Sequence, residues 1–519
     1  MVPYRSVLIV GGGTAGWLAA LHFQHLLGRN PEIPVQITLL ESADIGTIGV
    51  GEATVPTLKT TLQQLGISEI QLFTEADATL KNGIRFVGWR EGGSAQVDGY
   101  DHPFETPPTF EGHSTILHWL NARQHGLTRQ SFGDAGGVQT ALMELGLSPK
   151  LFQSAEYDAP FNYAYHLDAQ KLAILLRRVA TERGVTHIIG EVRQTSLGEM
   201  GISAVHLADG QTLEADLYVD CTGFSSVLLG KALGVPWESY AETLLCDRAV
   251  ACPIDYASPQ APVRSFTTST AQESGWTWEI DLQSRRGTGY VYSSAHCSDD
   301  EALSILRRQQ AGGRPLAEPR WLPMRTGHRA RMWEKNCLAL GLSSGFIEPL
   351  ESTGIYLVEF AMQLFGDFLP TDAGMDRARA RYNRLMNEHY DHLHDFILLH
   401  YVLSGRRDTA FWRDCTAGAR IPLRLQAKLD QWHEMLPHVT DVPRKLALFG
   451  ENSFFYILSG LGYLPERGSA LASYIDPKSS KRALLQITRL RDGVQDRFPP
   501  LRDYVSRIRA SGVMRHFAL

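Results

Sequence analysis

Four aliphatic residues, VLIV at 7–10, run straight into Gly11, Gly13 and Gly16, and apolar positions at helical spacing follow at once. That order predicts a strand, a tight turn and a helix. A second strand is expected over 35–40, ending on Glu41. Farther on, ATLKNGIRFVGW (78–89) reads as a helix end passing into a strand, with Lys81 at the junction. Residues 91–115 hold Gly, Pro and aromatics (YDHPFETPPTF) and predict an irregular binding loop, with Tyr100, His102 and Phe104 as pocket walls. HLDAQKLAILLRRVATERGV (166–185) is an amphipathic helix that Asp168 can cap. Two alternating segments follow, with Asp209–Gly210 as a hairpin turn, and then a buried-type strand, 217–219, leading into Asp220-Cys-Thr222-Gly223. Residues 240–325 alternate like strands; Trp276 and Trp278, two apart, share one face. NCLALGLSSGFIEPLESTGIYLVEFAMQLF (336–365) gives a strand, a glycine-rich bend and a helix. Beyond about 370 the pattern is helical, with Tyr382, Leu385, Met386, His389, Leu393, Phe396, Ile397 and His400 on one face.

The glycine spacing carries chemistry. Gly11 permits the turn, Gly13 lets backbone approach a pyrophosphate, and Gly16 lets the helix close on the strand. Free N–H groups and the helix dipole then favour the anion, and Glu41, about 20 residues on, suits a ribose hydroxyl. FAD or NAD is decided downstream: a nucleotide fold interrupted by a small meander, returning to a strand that ends in D-C-T-G, is built for FAD. The glycines at 46, 49 and 51 predict a loop that lies along a bound ring system, and Pro56 opens a helix. Glu351-Ser352-Thr353-Gly354 at a helix start offers an anion site, or a capping box. Gly341-x-Ser343-x-Gly345 matches a hydrolase elbow only formally, because Pro349 and a polar loop stand where the elbow's helix should begin.

Bulk properties narrow the class. A chain of 519 residues exceeds one simple core. Its 56 acids against 50 bases, net −6, give no basic footprint for nucleic acid. Six scattered cysteines without a C-x-x-C pair suit a reducing compartment, and no apolar run approaches a membrane span, so a cytoplasmic location is expected. The first strand leaves no room for a signal peptide. Glu388, His389, His392 and His394 lack a recognised ligand spacing, and no metal is assigned. A lysine aimed into an apolar cavity becomes chemically usable, which makes Lys81 a candidate. The expected class is α/β plus α: a Rossmann-type, glutathione-reductase-like FAD lobe with an inserted β-sheet over 1–368, and a mostly helical lobe over 369–519.

Together these residues resemble the flavin-dependent halogenases of the tryptophan halogenase type, over nearly the whole chain. The carrying motifs are GGGTAGW (11–17), GVGEATVP (49–56), the lysine in TLKNGIRFVGW, HPF (102–104), DCTGF (220–224) and SSGFIEPLESTGIY (343–356). The family's W-x-W-x-I-P signature reads W-T-W-E-I-D here, with Asp281 in place of proline. The resemblance implies a two-component enzyme. A separate NAD(P)H-dependent reductase supplies reduced FAD, O2 and chloride or bromide yield hypohalous acid, and an internal tunnel carries it to Lys81, which hydrogen-bonds it or forms a haloamine. By the same resemblance Glu351, with Ser352 beside it, stabilises the ring cation and removes its proton. Thr353 and Gly354 hold the halide, and FAD contacts map to Gly11, Gly13, Thr14, Ala15, Gly16, Glu41, Ala53, Val192 and Leu342. Ile84, His102 and Phe104 line the substrate pocket, and the tryptophan pair keeps substrate from flavin. The family's partners for a free amino acid include a tyrosine pair in the second lobe. Here Phe454 and Phe455 stand near that place, which points to an indole-type substrate rather than free tryptophan. A homodimer is open to it. Two other classes stand beside it: a single-component aromatic hydroxylase, which shares the FAD lobe and would oxidise NADPH unaided, and, more distant, a non-catalytic flavoprotein.

Overall fold

The computed structural model describes residues 4–43, 51–91, 99–369, 374–442, 447–464 and 469–516, with the side chains of 419 and 512–516 left aside. The expected loop glycines Gly46 and Gly49 therefore lie outside the described residues. The chain forms two compact units, each drawn from three stretches. The first takes Met1–Ala78, Leu167–Ala241 and Arg325–Asp391; the second takes Thr79–His166, Glu242–Met324 and His392–Leu519. The boundary expected at residue 368 falls inside the first unit, because long-range strand pairing, not chain order, assigns residues 79–166 and 242–324 to the second.

In the first unit, strand β1 (Ser6–Val10), helix α1 (Thr14–Leu27) and strand β2 (Gln36–Glu41) take the expected order. A six-stranded sheet runs Thr186–Ile189, β2, β1, Leu217–Asp220, Cys337–Ala339, Trp333–Glu334. Its first five strands are parallel, and Val7, Leu8, Ile9 and Val10 are buried at its centre. From β1 the chain crosses to β2 on one side, while Leu217–Asp220 pairs on the other. That change of direction opens a crevice at the C-terminal ends of the strands, where ligands bind in such sheets. The antiparallel meander Val192–Gly198, Gly201–Leu207 and Thr212–Leu213 is the expected insert. Its turn has Gly210 at φ 92° and Asp209 accepting from Gln211 N at 2.9 Å. Asp168 caps the Ala169–Glu182 helix by accepting from Lys171 N at 3.0 Å.

The second unit holds a seven-stranded sheet in the order Arg320–Pro323, Arg248–Ala251, Arg286–Tyr292, Gly275–Asp281, Thr267–Gln272, Gly83–Val87, Gly99–Pro103. The last of these corrects the reading of 91–115 as wholly irregular. Tyr100 and His102 alternate inward on a strand paired with Gly83–Val87, while Asp101 points to Arg85 at 2.8 Å. Pro103 at the strand's end and Pro107 and Pro108 just after it hid that alternation. The Met375–Val402 helix buries the expected face, Leu385 only partly, and the limit between the units falls within it. Among the described residues no helix is long and apolar enough to cross a membrane.

Candidate functional site

The glycine turn behaves as its spacing requires. Gly11 sits at φ 117°, and a Cβ there would stand 2.2 Å from the Cys221 carbonyl oxygen; one on Gly16 would stand 1.8 Å from the Gly11 carbonyl oxygen. Those two glycines are needed for packing. A Cβ on Gly13 meets nothing within 4 Å. Gly13 is the N-cap of α1, makes no side-chain cap, and no acid occupies the first turn, so the amides of Thr14, Ala15 and Gly16 face an open cradle. The donor set and the space fit a dinucleotide pyrophosphate. Glu41 ends β2 with Arg177 and His187 each 3.7 Å away. Its carboxylate lies so close to the turn that a Cβ on Gly12 would overlap it, a requirement that the three-glycine spacing does not announce. Ala53 ends the Gly51–Ala53 strand and Val192 opens the meander, both half-buried. Leu342 lies in the turn after Gly341, where a Cβ would approach Ala15 Cβ to 2.9 Å.

Asp220, placed by the sequence at a strand end but given no role of its own, organises the far side of the crevice. Fully buried, it accepts from Thr222 N and Oγ1 (3.0 and 2.6 Å), Leu228 N (2.9 Å), Leu229 N (2.8 Å), Ser226 Oγ (3.3 Å) and Ser343 Oγ (3.0 Å). An aspartate two residues before threonine is an Asx-turn signal that could have found it. Ser343 spends its hydroxyl on Asp220 and the Gly223 carbonyl, so the formal elbow serine is a strut, not a nucleophile.

Residues 351–354 form a buried turn. Glu351 closes the Pro349–Glu351 turn and is 1% exposed; Ser352 takes the left-handed conformation at φ 62°. Thr353 precedes the Gly354–Asp367 helix and makes no side-chain cap, so the capping-box alternative is not realised. Its buried hydroxyl has no hydrogen-bond partner among the described residues, and open space lies where a Gly354 Cβ would be. An uncapped helix start, an orphaned hydroxyl and open space suit a small anion. One turn along that helix, Glu359 is buried and accepts from Thr57 Oγ1 at 3.1 Å; burial lifts its carboxyl to about 7.

In the second unit Lys81 ends the Thr79–Lys81 strand and is fully buried, with Nζ 5.3 Å from the centroid of the Phe104 ring. His166 shares a hydrogen bond with Thr267 Oγ1 at 2.9 Å, and burial, then the charge of Lys81, push its imidazole down to about 3. Ile84 and His102 are register partners and both buried. The His102 ring lies 5.8 Å from Phe396 and 6.0 Å from Phe449, and Phe454 lies 5.1 Å from Phe396. Phe455 turns away from this group. It packs with Ile116, Trp119 and Leu484, since neighbours on a helix point about 100° apart. Trp276 and Trp278 share a face of the Gly275–Asp281 strand, rings 6.3 Å apart. Of the four residues with metal-ligand character, His389 stacks on Phe360, Glu388 pairs with Arg384, His394 bonds Thr243 and Arg424, and the His392 ring lies 6.3 Å from Phe454. The residues expected to hold flavin and halide thus all belong to the first unit, and Lys81 with the residues expected to line the substrate pocket to the second.

Residues 6–477 match the tryptophan halogenase family. The tryptophan 6-halogenase SttH of Streptomyces toxytricini is 35% identical over 509 residues, 94% of this chain and 94% of that protein. Among solved structures, a tryptophan halogenase from Shewanella frigidimarina superposes with a TM-score of 0.90 at 35% identity, covering 98% of each chain. A flavin-dependent halogenase from Xanthomonas campestris gives 0.89 at 37% identity, covering 97% of this chain and 98% of that one.

Proposed function

The chain belongs to the tryptophan halogenase family of flavin-dependent halogenases, and on that premise we propose how its own residues halogenate an electron-rich aromatic ring. FAD and a halide are the family's cofactors. The reaction we assign consumes reduced FAD, O2, chloride or bromide, a proton and the arene; it yields oxidised FAD, the haloarene and two waters. A separate NAD(P)H-dependent reductase provides the reduced flavin, because the sequence carries one dinucleotide fingerprint.

Reduced FAD, when bound, would supply two of the four electrons that O2 takes up, the halide giving the other two as it becomes hypohalous acid. The amides of α1 from Thr14, with Gly11, Gly13 and Gly16, would hold its pyrophosphate, Glu41 would take the ribose, and Ala53, Val192 and Leu342 would flank it. The Thr353 and Gly354 amides hold the halide at the start of their helix. Lys81 receives the hypohalous acid as a hydrogen-bonding ammonium or as a haloamine and aims the halogen at one carbon. Glu351 stabilises the ring cation and accepts its proton; a carboxylate removed from water is worth far more there than in solvent. Trp276 and Trp278 keep substrate away from the flavin.

The observation that carries the reading is Lys81, a lysine at 0% exposure at the end of a three-residue strand. A lysine amine taken out of water beside an aromatic ring is one whose chemistry the site can use. The substrate we assign is an indole without the free amino acid's ammonium and carboxylate. Phe454 is buried among Phe396 and Trp432, Phe455 in a separate apolar core, and neither offers a hydrogen bond to a zwitterion. Burying an unpaired charge costs several kcal/mol. The test is purified protein with FAD, a generic flavin reductase, NADH, bromide and an indole panel, read by mass spectrometry. Brominated indole is expected, and Lys81→Ala abolishes it. A Lys81→Ala protein that halogenates at the wild-type rate overturns the reading.

A further inference from the structure

Lys81 is held from both sides, and both holds lead to the residue that ends the tryptophan strand. Thr79 and Lys81 project from the same face of their strand, two residues apart. Buried Thr79 donates its hydroxyl to the Asp281 carbonyl at 2.6 Å. On the other side of Lys81, the Asn82 N–H donates to the Ser265 carbonyl at 2.6 Å. Ser265 follows Arg264, whose own N–H donates to Asp281 Oδ2 at 3.0 Å. Asp281 therefore holds Thr79 directly through its main-chain carbonyl, and its carboxylate holds the Arg264–Ser265 backbone that in turn takes the Asn82 N–H.

The grip is stiff. Asp281 is fully buried, Arg264 Nη2 and Arg286 Nε donate to Oδ1 at 2.8 and 2.7 Å, and Glu279 balances the second positive charge, 3.0 Å from Arg264 Nη1 and 3.5 Å from Arg286 Nη1. Burial pushes the Asp281 carboxyl up, but the Arg264 and Arg286 guanidiniums outweigh it and hold it down at about 2, so it stays ionised at working pH. Charge-assisted, bidentate contacts of this kind carry geometric precision as well as energy. Asn82 is locked further, donating to the Leu147 carbonyl at 3.2 Å and accepting from Gln139 Nε2 at 2.9 Å.

We propose that Asp281 is the positioning residue for Lys81, fixing where Nζ stands and so the fraction of hypohalous acid that reaches the ring instead of escaping. The inference rests on Lys81 directing the oxidant, as assigned above.

The test measures haloindole formed and hypohalous acid released, the latter captured by a 1,3-diketone in solution, each per reduced FAD oxidised in the presence of bromide and indole. In Thr79→Val, haloindole per oxidised flavin is expected to fall at least fivefold with a matching rise in captured oxidant, while the flavin oxidation rate and the KM for indole stay within twofold. Thr79→Ser restores the ratio, and Asp281→Asn, which keeps the side chain's shape, shifts it as Thr79→Val does and carries the test if that protein does not fold. A wild-type ratio in the folded variants overturns the proposal, including a result in which only thermal stability or KM changes. Lys81→Ala separates the two ideas: product lost there but kept in Thr79→Val sinks this inference alone, and product kept in Lys81→Ala removes its premise.

Discussion

The glycine turn allows fold and cofactor binding to be separated by single methyl groups. Gly11→Ala places a Cβ 2.2 Å from the Cys221 carbonyl on a residue at φ 117°. The backbone strain is about 1–3 kcal/mol, and the overpacking adds about 1–3 kcal/mol. For a unit of roughly 200 residues that is a fall in the apo-protein's unfolding midpoint of at least ~5 °C. Gly13→Ala is different in kind. Gly13 already sits at φ −74° and ψ −176°, open to any residue, and its new methyl would touch nothing within 4 Å. The apo-protein should keep its midpoint or gain slightly, by the ~0.4–1 kcal/mol that a lost glycine removes from the unfolded chain's freedom. The same methyl occupies the pyrophosphate's approach, so FAD affinity should drop at least ~10-fold, or about 1.4 kcal/mol. Thermal unfolding followed by circular dichroism and flavin binding by fluorescence quenching read the two effects independently. A Gly13→Ala protein that binds FAD like the wild type refutes the cradle, and a Gly11→Ala protein with an unchanged midpoint refutes the steric argument.

Three more outcomes are expected. Glu351→Gln should retain flavin oxidation and lose product rate by ~10²-fold or more, the scale of one lost electrostatic group; a loss below about threefold in single-turnover kinetics removes Glu351 from the chemistry. Indole competing with free tryptophan at equal concentration should take most of the halogen, and a clear preference for tryptophan sinks the substrate assignment. Glu359, raised from its ordinary 4.5 to about 7, makes the folded state hold a proton that the unfolded chain releases, so stability should fall as pH rises through that window. Glu359→Gln lacks this slope, so its stability relative to wild type, from urea unfolding at pH 5 and pH 8, should rise with pH by an amount on the order of a few kcal/mol. Parallel profiles for the two proteins contradict it.

What the sequence determined by itself was everything a short span of backbone dictates. The order of β1, the glycine turn and α1, the acid that ends β2, the Asp168 cap, the Asp209–Gly210 hairpin and the shared face of Trp276 and Trp278 all follow from local geometry, in which spacing alone sets where a side chain points. Lys81 and the 351–354 turn were legible as candidates for the same reason. Tertiary structure decided what depends on partners far along the chain. It assigned residues 79–166 and 242–324 to the second unit, because strand pairing joins segments that composition cannot connect. It turned the stretch at 99–103, which ends on a proline, into a sheet strand, separated Phe454 from Phe455, and gave Ser343 to Asp220. It also made Asp281 a buried hub, which no local pattern foretells, since Thr79, Arg264 and Arg286 reach one carboxylate and one carbonyl only after the sheet has closed.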